Sequence, residues 1–111
     1  MKKILLRSLV LFSCAVAGSF STAMAADDEM LTRGKALFTG EAVPACAICH
    51  TLSDAGAEGA IGPDLDELKP TKDVVLKVLK EGMGAMPSFA ETMSQEDMEA
   101  VANYVVSATG Q

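Results

Sequence analysis

Cys46-Ala47-Ile48-Cys49-His50 is a C-x-x-C-H pattern, the spacing by which a haem is attached to a polypeptide. Two thiols separated by two residues can each form a thioether with one vinyl group of the same porphyrin. The imidazole that follows is then placed under the iron as its proximal ligand. Other chemistries use parts of this pattern. An exported cysteine pair can close a disulfide, and C-x-x-C is also a thioredoxin-like redox motif, but that motif wants a βαβ setting and nothing around Cys46 reads as strand. A structural zinc site normally takes four ligands. The chain beyond residue 25 offers two Cys and one His, so a carboxylate would have to complete the set.

A six-coordinate iron needs a second axial ligand. His50 is the only histidine, which excludes a bis-His pair within one chain and leaves Met, Lys, water or an open position. Met30 and Met98 fall at apolar positions of helical patterns and read as core. Met83 and Met86 lie in Gly82-Met83-Gly84-Ala85-Met86-Pro87, where glycine and proline free the backbone from helix geometry and let a thioether turn inward. Met86 is the expected distal ligand, with Met83 and then Met93 as competitors.

Upstream of the motif, Met1-Lys2-Lys3 and Arg7 open the 111-residue chain, Ile4 to Gly18 is almost wholly apolar, and Ala23-Met24-Ala25 is an A-x-A site. This is the pattern of a secretory signal peptide over residues 1–25, leaving a single domain over 26–111 exported to the periplasm. Cys14 follows Leu11-Phe12-Ser13, but Phe12 replaces the small residue preferred at lipoprotein processing sites. Loss of Lys2, Lys3 and Arg7 lowers Lys+Arg from 9 to 6 against 15 Asp+Glu, so the remaining 86 residues carry a net charge of −9. Such acidity argues against nucleic acid as a partner. No second apolar run reaches the ~20 residues of a bilayer span, so no stable membrane insertion is expected after cleavage. With Phe38, Phe89 and Tyr104 its only aromatic residues, the small mature domain needs something besides polypeptide to fill its core.

The rest of the chain reads as all-α. Asp27 or Asp28 is placed to cap a first helix with Met30, Leu31, Gly34, Leu37 and Phe38 on one face and a stop at Gly40. Residues 41–64 show no sustained period and are expected to form a loop wrapped around the cofactor. A short helical turn over Leu65 to Leu68 precedes Lys69-Pro70. Thr71 opens a helix with a Val74, Val75, Val78, Leu79 stripe, closed by Gly82. Ser94-Gln95-Glu96-Asp97 resembles a capping box for a last helix with Met98, Val101, Ala102, Val105 and Val106 on its apolar face, ending near Gly110.

C-x-x-C-H near the front, an M-P loop near the back and a helix at each end resemble a small mono-haem class I cytochrome c over residues 28–108. The resemblance implies N- and C-terminal helices crossing, with loops enclosing one covalently attached haem c. It places thioethers on Cys46 and Cys49, and His50 and Met86 as axial ligands. Gly34 and Phe38 match the family's Gly-x-x-x-aromatic pattern in the first helix, and Val101 and Tyr104 match its aliphatic and aromatic positions in the last. Ile61-Gly62-Pro63-Asp64-Leu65 resembles the segment in which the proline carbonyl accepts from the proximal His, implying Pro63 as partner of His50 and Leu65 as a residue against the porphyrin. The chain has no Trp, so a propionate contact by indole is excluded. More narrowly, Gly34-Lys35-Ala36-Leu37-Phe38 and Met86-Pro87-Ser88-Phe89 resemble cytochromes that accept electrons from periplasmic sulfite dehydrogenases.

The implied function is electron transport without catalysis: single electrons pass from a periplasmic dehydrogenase to an oxidase or another cytochrome, carried by a monomer or a transient heterocomplex. A tightly bound haem c subunit of a multi-subunit oxidoreductase is the alternative. A peroxidase or gas sensor would need a distal acid–base group, and no second His or suitably placed Arg is present. Lys69, Lys72, Lys77 and Lys80 cluster just before the Met86 loop, a basic patch on an acidic body that can orient docking or simply be a solvated helix face.

Overall fold

The computed structural model describes residues 21–111. Among the described residues four α-helices run Ser21–Ala36 (α1), Leu65–Leu68 (α2), Lys72–Glu81 (α3) and Gln95–Ala108 (α4). Between α1 and α2, Thr51–Leu52 (β1) and Ala57–Glu58 (β2) pair antiparallel, with Thr51 opposite Glu58 and Leu52 opposite Ala57. Strands of two residues are too short to show alternation, which is why residues 41–64 read only as loop.

Two of the helix boundaries follow local chemistry. The Thr71 side chain caps α3 by accepting from Val74 N–H at 3.4 Å, and Ser94 caps α4 by accepting from Asp97 N–H at 3.0 Å. The capping box at Ser94 is only half formed. Asp97 is shorter than Glu, and its carboxylate is committed to Arg33 on α1, with Nε at 2.9 Å and Nη2 at 3.1 Å.

The start of α1 departs from expectation. Neither Asp27 nor Asp28 is a cap, because the helix runs through both from Ser21 and has no acidic residue in its first turn. Ala23, Met24, Ala25 and Ala26 are strong helix formers that carry it upstream of the aspartates. Residues 1–20 of the expected leader, Cys14 included, lie outside the described residues. At its other end α1 passes into a wider turn over Leu37–Glu41, in which Ala42 N–H donates to Leu37 O at 3.1 Å, so the chain leaves the helix just past Gly40.

α1 and α4 cross at Gly34. A Cβ there would overlap the Ala100 carbonyl oxygen and lie 2.6 Å from Tyr104 Cβ, so only glycine lets the helices approach this far. One turn on, Phe38 and Tyr104 meet edge to face, ring centroids 5.9 Å apart at 65°. Around this contact lie the buried Leu37, Met98, Ala100, Val101 and Val105. Met98 is core as expected, while Met30 is partly buried against it.

Candidate cofactor site

On the other side of that core lies an open cavity of about 390 Å³. Cys46, Cys49 and His50 line it together with Pro63, Leu65 and Met86. The stripe of α3, Val74, Val75, Val78 and Leu79, faces it too, which explains how Val74 stays 49% exposed in an apolar pattern. Phe38, Phe89, Val101 and Val105 form part of its walls, so the helix-crossing core and the cavity share side chains.

Cys46–Ile48 form one tight 3₁₀ turn, and both Cys49 and His50 donate their backbone N–H to Cys46 O, at 3.1 and 3.0 Å. That turn brings the second thiol and the imidazole to the wall already holding the first thiol. Two glycines press against it. A Cβ on Gly59 would come within 2.6 Å of Cys49 C and His50 N, and one on Gly62 within 2.6 Å of His50 Cε1. Gly62 N–H also donates to Cys49 O at 2.7 Å. Neither glycine's close approach could be read from composition; the Gly-Pro pair signalled only a turn.

His50 Nδ1 stands 2.8 Å from Pro63 O. The carbonyl accepts from Nδ1–H, which leaves Nε2 as the nitrogen with a free lone pair. Both cysteines are unbridged. Burial pushes the Cys46 thiol up to about 11, the opposite of the lowered value that a thioredoxin-like nucleophile needs. Among the described residues no three His, Cys, Asp or Glu side chains gather as a metal-binding group.

Met83 and Met86 pair across a tight turn, Met83 N–H to Met86 O at 3.0 Å and Met86 N–H to Met83 O at 2.9 Å. Gly82 and Gly84 take positive φ of 72° and 57° to make it. Ser88 Oγ donates to Lys80 O at 2.6 Å and Phe89 N–H to Leu79 O at 2.7 Å, tying the segment after Met86 to the end of α3. Both thioethers line the cavity, but Met83 is 69% exposed whereas Met86 packs against the core. Met93 is buried in that core and does not line the cavity. Two thiols, a polarised imidazole, a thioether and apolar walls fit a covalently held porphyrin with iron.

Tyr104 does more than pack against Phe38. Its hydroxyl also donates to Asp54 Oδ2 at 2.6 Å, and Lys35 Nζ lies 3.2 Å from the same oxygen. Of the clustered lysines, Lys72 pairs with Glu99 at 2.8 Å, while Lys69, Lys77 and Lys80 are exposed.

A family model described as cytochrome c oxidase, cbb3-type, subunit III, matches residues 29–105. The chain is 36% identical to cytochrome c6 of Pyropia yezoensis, covering 96% of this chain and 94% of that protein. It is 38% identical to cytochrome c6 of Synechocystis, over 78% of this chain and 69% of that one. The fold is similar to the crystal structure of the c-type cytochrome SorU from Sinorhizobium meliloti, with a TM-score of 0.72 and 43% identity over 76% of this chain and 95% of that chain.

Proposed function

The chain belongs to the small class I c-type cytochromes, and we propose that it carries single electrons from a periplasmic dehydrogenase to an oxidase or another cytochrome. It is an electron carrier rather than an enzyme, with one covalently bound haem c. In this reading Cys46 and Cys49 would hold the porphyrin by thioethers, His50 Nε2 and Met86 Sδ would hold its iron, and Leu65 would lie against the ring. When bound, the haem iron supplies a one-electron ferrous–ferric couple.

The polypeptide's part is to hold ligands still and keep water out. Pro63 O orients the His50 ring and raises its basicity as a ligand. Met86 would close the iron against added ligands, and a thioether paired with an imidazole would raise the reduction potential relative to more basic ligand pairs. The valines of α3 keep the surroundings apolar. The observation that carries the reading is the 2.8 Å contact of His50 Nδ1 with Pro63 O on the wall of a cavity that both cysteines and Met86 also line.

A sulfite dehydrogenase is the donor favoured by Gly34–Phe38 and Met86–Phe89, the two stretches that resemble its cytochrome acceptors. The location follows from residues 1–25 acting as a cleaved leader, with 26–111 as the periplasmic domain. A second reading, a tightly bound subunit of an oxidoreductase, draws on the match to a family model named for an oxidase subunit. Gel filtration with the dehydrogenase at low and high salt separates the two, since a transient pair comes apart as screening rises.

The direct test is the visible spectrum of the matured protein in both redox states. A c-type haem spectrum is expected, with the weak long-wavelength band of a thioether on ferric iron. A colourless product, or one that binds carbon monoxide readily when reduced, would overturn the reading.

A further inference from the structure

We propose that Asp66 is a positioning residue for the proximal ligand, holding the His50 hairpin and the Pro63 segment together through Ser53; this rests on His50 being that ligand. Ser53 donates both its backbone N–H and its hydroxyl to Asp66 Oδ2, each at 2.8 Å. His50 and Pro63 are 13 residues apart in sequence, and so are Ser53 and Asp66. The two contacts are therefore rungs three residues apart between the same two segments of chain.

The rungs share a rigid frame. From His50 the chain runs through β1 to Ser53, whose turn is closed by Gly56 N–H donating to Ser53 O at 3.0 Å. On the facing side Asp64 Oδ1 accepts from Asp66 N–H at 2.9 Å, fixing the backbone between Pro63 and Asp66. A carboxylate accepting two donors makes charge-assisted bonds, stronger than the imidazole–carbonyl contact it flanks. The Asp66 rung holds the backbone that follows Pro63 close to the segment that follows His50. Without it, the polar contacts left beside the ring are the imidazole–carbonyl contact, Gly62 N–H on Cys49 O and, further back, Thr51 Oγ1 on Gly59 O.

The holoprotein carrying Asp66→Ala, Asp66→Asn or Ser53→Ala tests this through hydrogen exchange of the His50 Nδ1 proton, read by NMR alongside the reduction potential. Asp66→Ala is expected to speed that exchange about tenfold, as loss of hydrogen bonds to a charged group implies, and to shift the potential. Asp66→Asn keeps an oxygen for both donors and is expected to stay within about threefold of the parent rate. Ser53→Ala loses one of the two bonds and is expected to fall between them; it carries the test alone if Asp66→Ala does not mature. Amide exchange in α1 and α4 stays at the parent rate if the role is local. Parent-like Nδ1 exchange in Asp66→Ala, or in Ser53→Ala where that stands alone, would overturn the clamp while the parent spectrum leaves haem ligation intact. A parent protein lacking imidazole ligation would overturn the ligand assignment and the clamp together.

Discussion

Tyr104 reaches across 50 residues of chain to donate its hydroxyl to Asp54, joining α4 to the turn between β1 and β2. That bond first, and Lys35 second, hold the Asp54 carboxyl below its usual range. Burial, then the bond to Asp54, push the Tyr104 phenol above its own. A depressed carboxyl contributes stability above its unfolded value of about 3.9, lost as pH falls through the folded one. A raised phenol contributes below its unfolded value of about 10, lost as pH rises beyond it. Asp97 and Glu99, held low by Arg33 and Lys72, add to the acid side. Denaturant midpoints measured against pH are expected to form a plateau falling at both ends, with Tyr104→Phe reducing the alkaline fall.

Gly34→Ala is expected to destabilise by about 1–3 kcal/mol, because the new methyl must displace the Ala100 carbonyl and Tyr104 across the helix crossing. Gly40→Ala, with open space around its Cβ, is the control and should be neutral or slightly stabilising. Urea denaturation of the holoprotein measures both; equal midpoints would show that the crossing has room to spare.

Met86→Ala is expected to abolish the thioether band of the oxidised spectrum and open the iron to carbon monoxide when reduced. Met83→Ala should leave both unchanged, since Met83 is largely exposed and Met86 packs inward. The reverse pattern would transfer the ligand role to Met83.

Lys77→Glu combined with Lys80→Glu reverses the exposed charges beside the Met86 loop while keeping both partners of the Lys72–Glu99 pair. Electron transfer with the dehydrogenase at low salt is expected to slow about tenfold, within the range for steered association. The difference should shrink as added salt screens the patch. Stopped-flow rates independent of these charges would show the lysines to be an ordinary solvated face.

The caps at Thr71 and Ser94 and the short turn Leu65–Leu68 are legible in sequence, because each depends on a side chain acting within its own turn or on helical spacing. The crossing residues Gly34, Phe38, Val101 and Tyr104 are implied by the family resemblance and lie at the contact of the terminal helices. The start of α1 was misread because an Asx cap competes with the helix propensity of what precedes it, and four helix-forming residues outweighed the aspartates. The hairpin of β1 and β2 was missed because its four paired residues carry no period, and are held by a turn and by Gly59 lying on the C-x-x-C-H backbone.

By itself the sequence determined the C-x-x-C-H pattern of haem attachment and a helical scaffold, because attachment motifs and helix signals are local in the chain. Tertiary structure decided that Met86 packs inward while Met83 stays exposed, that Pro63 O meets His50 Nδ1 as the resemblance implied, and that Asp54 and Asp66 anchor the hairpin. Those outcomes are set by contacts between segments 13 to 50 residues apart. Burial and hydrogen-bond geometry at such separations arise only when the chain closes around its core.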